Sequence, residues 1–90
     1  MNVNYVFIGC CNPEDLTDFP LVNYYGNILT IYEKSDVLGQ SCLNMRKRSG
    51  NNVSRFKEMR INTGLKHGFL FKALDVWIKP SINWANQKLK

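Results

Sequence analysis

The chain has 90 residues, 44% hydrophobic and 21% charged, with a formal net charge of +5 at pH 7. That length suits a single domain over residues 1–90, and the apolar share supports a modest core, which excludes a disordered segment. No apolar run approaches the roughly 20 residues that a membrane-spanning helix needs, so no membrane partner is expected.

Tyr5-Val6-Phe7-Ile8 is a short apolar and aromatic run closed by Gly9, the pattern of a strand buried on both faces. Met1-Asn2-Val3-Asn4 puts no positive charge ahead of it, so no secretory signal is expected. Asn12-Pro13-Glu14-Asp15 then has the marks of a short helix start, with an N-cap, a proline at the first helical position and two acids in the first turn. Pro20 stops it. Between Leu21 and Tyr32, the runs Leu-Val-Asn-Tyr-Tyr and Ile-Leu-Thr-Ile-Tyr flank Gly26-Asn27. A two-residue loop with glycine first predicts a type II′ hairpin, pairing Tyr25 with Ile28 and Val22 with Ile31.

After Lys34 the period changes. Ser35 suits a helix cap, and Leu38, Cys42 and Met45 recur at helical spacing. Gly39 interrupts them, at a cost of about 1 kcal/mol inside a helix. Ser49-Gly50-Asn51-Asn52 reads as a turn. Ser54 opens another helical pattern, with Phe56 and Met59 inside, Arg55, Lys57 and Arg60 outside, and Asn62-Thr63-Gly64 as its end. Phe69 to Ile78 fits either a doubly buried strand or a helix. The helix, preferred for most of it, puts Lys72, Asp75 and Lys79 on one face and Leu70, Ala73, Leu74 and Trp77 on the other. Pro80 is expected to end it, and Ser81 to cap a last helix carrying Ile82, Ala85 and Leu89. The expected fold is α+β: a small sheet containing a β-hairpin at about 21–32, packed against two to four short helices.

Charge divides the chain. All twelve Lys and Arg lie at or after Lys34, against three acids there, while the first 33 positions hold four acids and no cation. Seven of the cations fall between Arg46 and Lys66, with Glu58 the sole acid among them. Asymmetry of this kind points to a polyanion. The competing reading is that scattered lysines keep a small domain soluble.

Ser35 to Arg48 admits a helix-turn-helix, with Gly39 at the turn, the small Ser35 four residues earlier and Leu38 and Met45 inward. An ordinary amphipathic helix packed on the hairpin is the alternative. Gly26-Asn27-Ile28-Leu29-Thr30-Ile31-Tyr32, Asp36-Val37-Leu38-Gly39-Gln40-Ser41 and Gly68-Phe69-Leu70-Phe71 together resemble the small DNA-binding repeat modules of intron-encoded and phage homing nucleases. The family's usual alanines in the first helix and its paired glycine in the closing strand are absent. The resemblance implies that Ser41, Asn44, Arg46, Lys47 and Arg48 sit on or after a groove-facing helix, and that Phe71 lies in a closing strand.

The residue types independently suit nucleic acid. Arg and Lys neutralise phosphates, and the turn at Asn51 adds donors. The expected contacts are Ser41, Asn44, Arg46, Lys47, Arg48, Asn51, Arg55, Lys57, Arg60 and Lys66, on a basic helical face at about 44–60. Tyr24, Tyr25 and Phe56 offer stacking faces, although aromatics in so small a domain more often form core. Catalysis has little support. His67 is the only histidine, no phosphate-binding loop or metal-ligand spacing occurs, and Cys10-Cys11 lacks a nearby base, so no enzyme activity, metal or cofactor is expected. Three cysteines without a signal point to an intracellular, reduced protein with free thiols. The expected function is non-enzymatic nucleic-acid binding, DNA foremost. The alternative is a small phage-type inhibitor that meets an acidic surface on a host protein.

Overall fold

A computed structural model describes residues 3–11, 26–43 and 53–87. In chain order its regular elements are β1 (Val3–Ile8), β2 (Gly26–Glu33), β3 (Val53–Ile61), a 3-10 helix (Lys66–Phe71) and α1 (Asp75–Asn86). The strands form one sheet in the order β1-β2-β3, and both pairings are parallel. Parallel neighbours cannot be joined by a tight turn; they need a crossover of about a dozen residues or more, a length that 9–25 and 34–52 both supply.

The central strand explains the arrangement. Ile28-Leu29-Thr30-Ile31 is three aliphatic residues with one β-branched threonine, nearly apolar throughout, which suits a strand covered on both faces, and every residue of β2 except Tyr32 is buried. Its two faces carry separate clusters. On one, Ile28 packs with Cys11, Cys42 and Val53, joined by Tyr5, Phe7 and Phe56. On the other, Leu29 and Ile31 pack with Ile61, Phe69 and Trp84, joined by Val6, Ile8, Met59, Leu70 and Trp77. Each fully buried aliphatic side chain there contributes about 1.5–3 kcal/mol.

The second face is closed by α1 and the 3-10 helix. Phe69 is fully buried and meets Trp77 edge-on, at 6.2 Å between centroids. Trp84 is buried nearer the other end, and its indole N–H donates to the Asn27 carbonyl oxygen at 3.5 Å. The helix runs through Pro80. That residue has no N–H to donate, and the Ser81 hydroxyl donates to the Trp77 carbonyl oxygen at 2.6 Å, one turn earlier.

These findings correct the expected fold. Gly26-Asn27 is not a hairpin loop but the entry to β2, which pairs with β1 and β3 rather than with 21–25; residues 21–25 lie outside the described ones. Gly26 has φ +123°, and a Cβ there would collide with the Val3 carbonyl oxygen and come within 2.6 Å of its nitrogen. The glycine thus serves a close backbone approach, not a turn. The helix expected from Ser54 is instead part of an edge strand over Val53–Ile61, because pairing to β2 overrides the helix propensity of Arg, Lys and Glu. Ser35 begins no helix: residues 34–39 are turns and bends, and Gln40 makes a bridge to Cys11. Phe71 is not in a strand, and Pro80 does not end α1. In place of two to four helices on a hairpin sheet, one α-helix and one 3-10 helix accompany a parallel sheet among the described residues. The expected helix at 12–19 and the turn at 49–52 lie outside those residues. Free thiols were also expected throughout; instead Cys11 and Cys42 form a buried disulfide, with Cα atoms 5.4 Å apart, and Cys10 is free.

Candidate functional site

Because α1 lies chiefly against β1 and less against β2, the same face of β3 is left at the rim of a cleft of about 390 Å³. From the sheet, Leu29, Arg55, Lys57 and Met59 form the floor, each within a row of that face set by the register. Asn4, Asn27 and Arg55 share one row, Val6, Leu29 and Lys57 the next, and Ile8, Ile31 and Met59 the third. The rows grade from polar to apolar toward the carboxyl ends of the strands. The wall is a stripe of α1: Lys79, Asn83 and Gln87 recur every four residues, with Pro80 and Trp84 beside them.

Arg55 is held in place. Its guanidinium lies 4.9 Å from the centroid of the Trp84 ring and donates to Gln87 Oε1 at 2.9 Å. A cation over an indole contributes roughly 0.5–2 kcal/mol. Gln87 is anchored in turn, since Asn4 Nδ2 donates to its carbonyl oxygen at 2.8 Å and Asn27 Nδ2 donates to Asn4 Oδ1 at 3.0 Å. Asn27 Oδ1, fully buried behind this network, has no hydrogen-bond partner among the described residues. Lys57 is exposed, and Lys79 makes an exposed pair with Asp75 at 3.5 Å, a contact weak enough to exchange for another anion.

The acid in this basic stretch faces the other way. Strand alternation puts Glu58 in the row of Phe7 and Thr30, where its carboxylate accepts from the Thr30 hydroxyl at 3.3 Å, the Ser41 hydroxyl at 2.8 Å and the Cys42 amide at 2.6 Å. The cleft side of β3 therefore carries Arg55, Lys57, Met59 and Ile61 and no carboxylate. Such a surface suits a ligand bearing negative charge beside a flat apolar group.

No protein-family model, curated protein or solved structure matches the chain.

A second polar cluster lies past the carboxyl ends of the strands. Asp36 is buried; its Oδ1 accepts from the Leu38 and Gly39 amides at 2.8 and 3.1 Å, and its Oδ2 meets His67 Nδ1 at 2.6 Å. Burial opposes its ionisation, but the His67 contact and the two amides outweigh that and hold the carboxyl below its ordinary value. Cys10 is exposed as a residue, yet loss of hydration around the sulfur raises its thiol above the ordinary value, against a backbone hydrogen bond that lowers it. A thiol so shifted is a poor nucleophile at neutral pH. Among the described residues, no three His, Cys, Asp or Glu gather as a metal site, and no helix is long and apolar enough to cross a membrane.

Of the contacts expected from sequence, Arg55 and Lys57 come together in the cleft. Arg60 alternates to the opposite face of β3. Ser41 is turned to Glu58. Lys66 opens the 3-10 helix at φ +54°, outside the cleft. Asn44, Arg46, Lys47, Arg48 and Asn51 lie outside the described residues. The basic face is, in its described part, a strand and not a helix. Lys79, Asn83, Trp84 and Gln87 were missed. The four-residue spacing of Lys79, Asn83 and Gln87 was visible, but ending the helix at Pro80 cut the stripe after its first member.

Proposed function

We propose that this chain is a non-enzymatic nucleic-acid-binding protein whose contact surface includes the β3–α1 cleft. The observation that carries the reading is the convergence of Arg55, Lys57 and Lys79 on one cleft beside Trp84, with the acid of the same strand turned away. Cations so arranged neutralise phosphates and release counterions, and the aromatic and amide groups between them suit bases. The net charge of +5 adds long-range attraction for a polyanion. Edge-strand cations also discourage sheet-to-sheet pairing, but that role does not account for Lys79 on the helix opposite.

A second reading, binding to a protein partner, takes the exposed Phe71 (86%), Val37 (72%) and Leu38 (59%) as its apolar contacts. Filter binding with duplex DNA, single-stranded DNA and RNA separates the two. The nucleic-acid reading expects retention at low salt and a log-linear loss of affinity as salt rises. Failure to retain any of the three at low salt would leave the protein-partner reading.

A further inference from the structure

We infer that the β3–α1 cleft takes one nucleotide unit of a single strand rather than the groove or backbone of a duplex; this rests on the nucleic-acid reading above. Size is the first argument. A cleft of about 390 Å³ lies near the low end of the roughly 300–1,000 Å³ of small-ligand pockets, room for a base with its sugar and phosphate but not for a double helix. Shape is the second. A duplex groove is read by an element that protrudes into it, whereas these cations are set between a strand and a helix. The helix of the pair, α1, holds one lysine and one aspartate and so has no basic face to lay along a groove.

Chemistry is the third argument. Arg55 is held with its guanidinium carbon 4.9 Å from the centre of the Trp84 ring and is an exposed residue, and an arginine so placed is one on which a base of a single strand can stack. Asn83 brings an amide to the same cleft for a base edge. Lys57 on the sheet and Lys79 on the helix stand on opposite sides of the cleft, placed for the phosphates that precede and follow that base. Lys79 would exchange its exposed partner Asp75 for phosphate. Only a strand whose bases are unpaired can present a base to Arg55 and phosphates to both lysines at once.

The test uses the full chain with a 12-nucleotide oligo(dT), a duplex of equal length and free dTMP, in direct binding titrations. Lys57→Glu/Lys79→Glu is the variant, since both side chains are exposed and outside the core. The oligonucleotide should bind at least about tenfold more tightly than the duplex. The double variant should lose about tenfold or more in affinity, and its log–log salt slope should shrink by about 1.4, at 0.7 per phosphate contact. Substitution of 5-iodouracil for thymine should place photo-crosslinks on residues 55–59 or 79–87. Equal binding of both DNAs with the variant unaffected would overturn the cleft assignment while sparing the nucleic-acid reading. Binding of dTMP as tight as that of the oligonucleotide would overturn the strand. Loss of binding to all three would remove both.

Discussion

Asp36 shows how one residue acts on this molecule. Its carboxylate is wholly buried and ties three places together: the Leu38 and Gly39 amides in the segment after β2, and His67 on the 3-10 helix. Because these contacts favour the ionised form, its folded pKa lies below the ordinary 3.8. The stabilisation is therefore complete above about pH 3.8 and is lost as the pH falls through the folded value. Asp36→Asn should cost about 2 kcal/mol at pH 7, the range for hydrogen bonds to a buried charge. Urea unfolding of both proteins at pH 7 and pH 3 checks this. The gap between their midpoints should narrow at the lower pH, and a gap of unchanged width would mean that Asp36 acts through shape alone. Little of this was legible in sequence, since Asp36 and His67 stand 31 positions apart and nothing local in either segment marks the pairing.

At the scale of elements, the chain was legible where the local pattern has one solution and illegible where pairing decides. Tyr5-Val6-Phe7-Ile8 read as a strand and is one, half-buried because it lies at an edge. Residues 53–61 misled because Phe56 and Met59 fit a helical spacing, while the true period is two: Phe56, Glu58 and Arg60 on one face, Arg55, Lys57, Met59 and Ile61 on the other. Gly26 misled for a different reason, since a glycine required by Val3 is indistinguishable in sequence from one required by a turn. The cysteine pairing depends on the same topology. Cys11 follows β1 and Cys42 follows β2, so parallel neighbours bring both segments to one side of the sheet, and the residues meet across a separation of 31. Closing that loop stabilises by about 3–4 kcal/mol in the chain-entropy description. Reduction should accordingly lower the thermal midpoint of the wild-type protein markedly and leave a Cys11→Ser/Cys42→Ser variant unmoved. Calorimetry with and without reductant reads this directly, and a wild-type midpoint indifferent to reductant would show that the bond adds nothing.

At the scale of the molecule, the division of charge along the chain survives folding only in part. Arg60 leaves the surface that Arg55 and Lys57 share, Lys66 lies outside it, and Lys79 joins from a helix that the sequence reading had cut short. Sequence showed the sign of the surface and two of its members; the cleft itself follows from a helix that lies chiefly against β1 and, among the described residues, meets β3 only at its rim, a matter of tertiary packing that no local pattern encodes. The central claim is that nucleic acid enters between β3 and α1, and its most direct test is an amide and indole chemical-shift titration with oligo(dT). The account predicts that the largest shifts fall on Arg55, Lys57, Lys79, Asn83 and the Trp84 indole N–H. Shifts that gather instead around Val37, Leu38 and Phe71, with Trp84 unmoved, would contradict it.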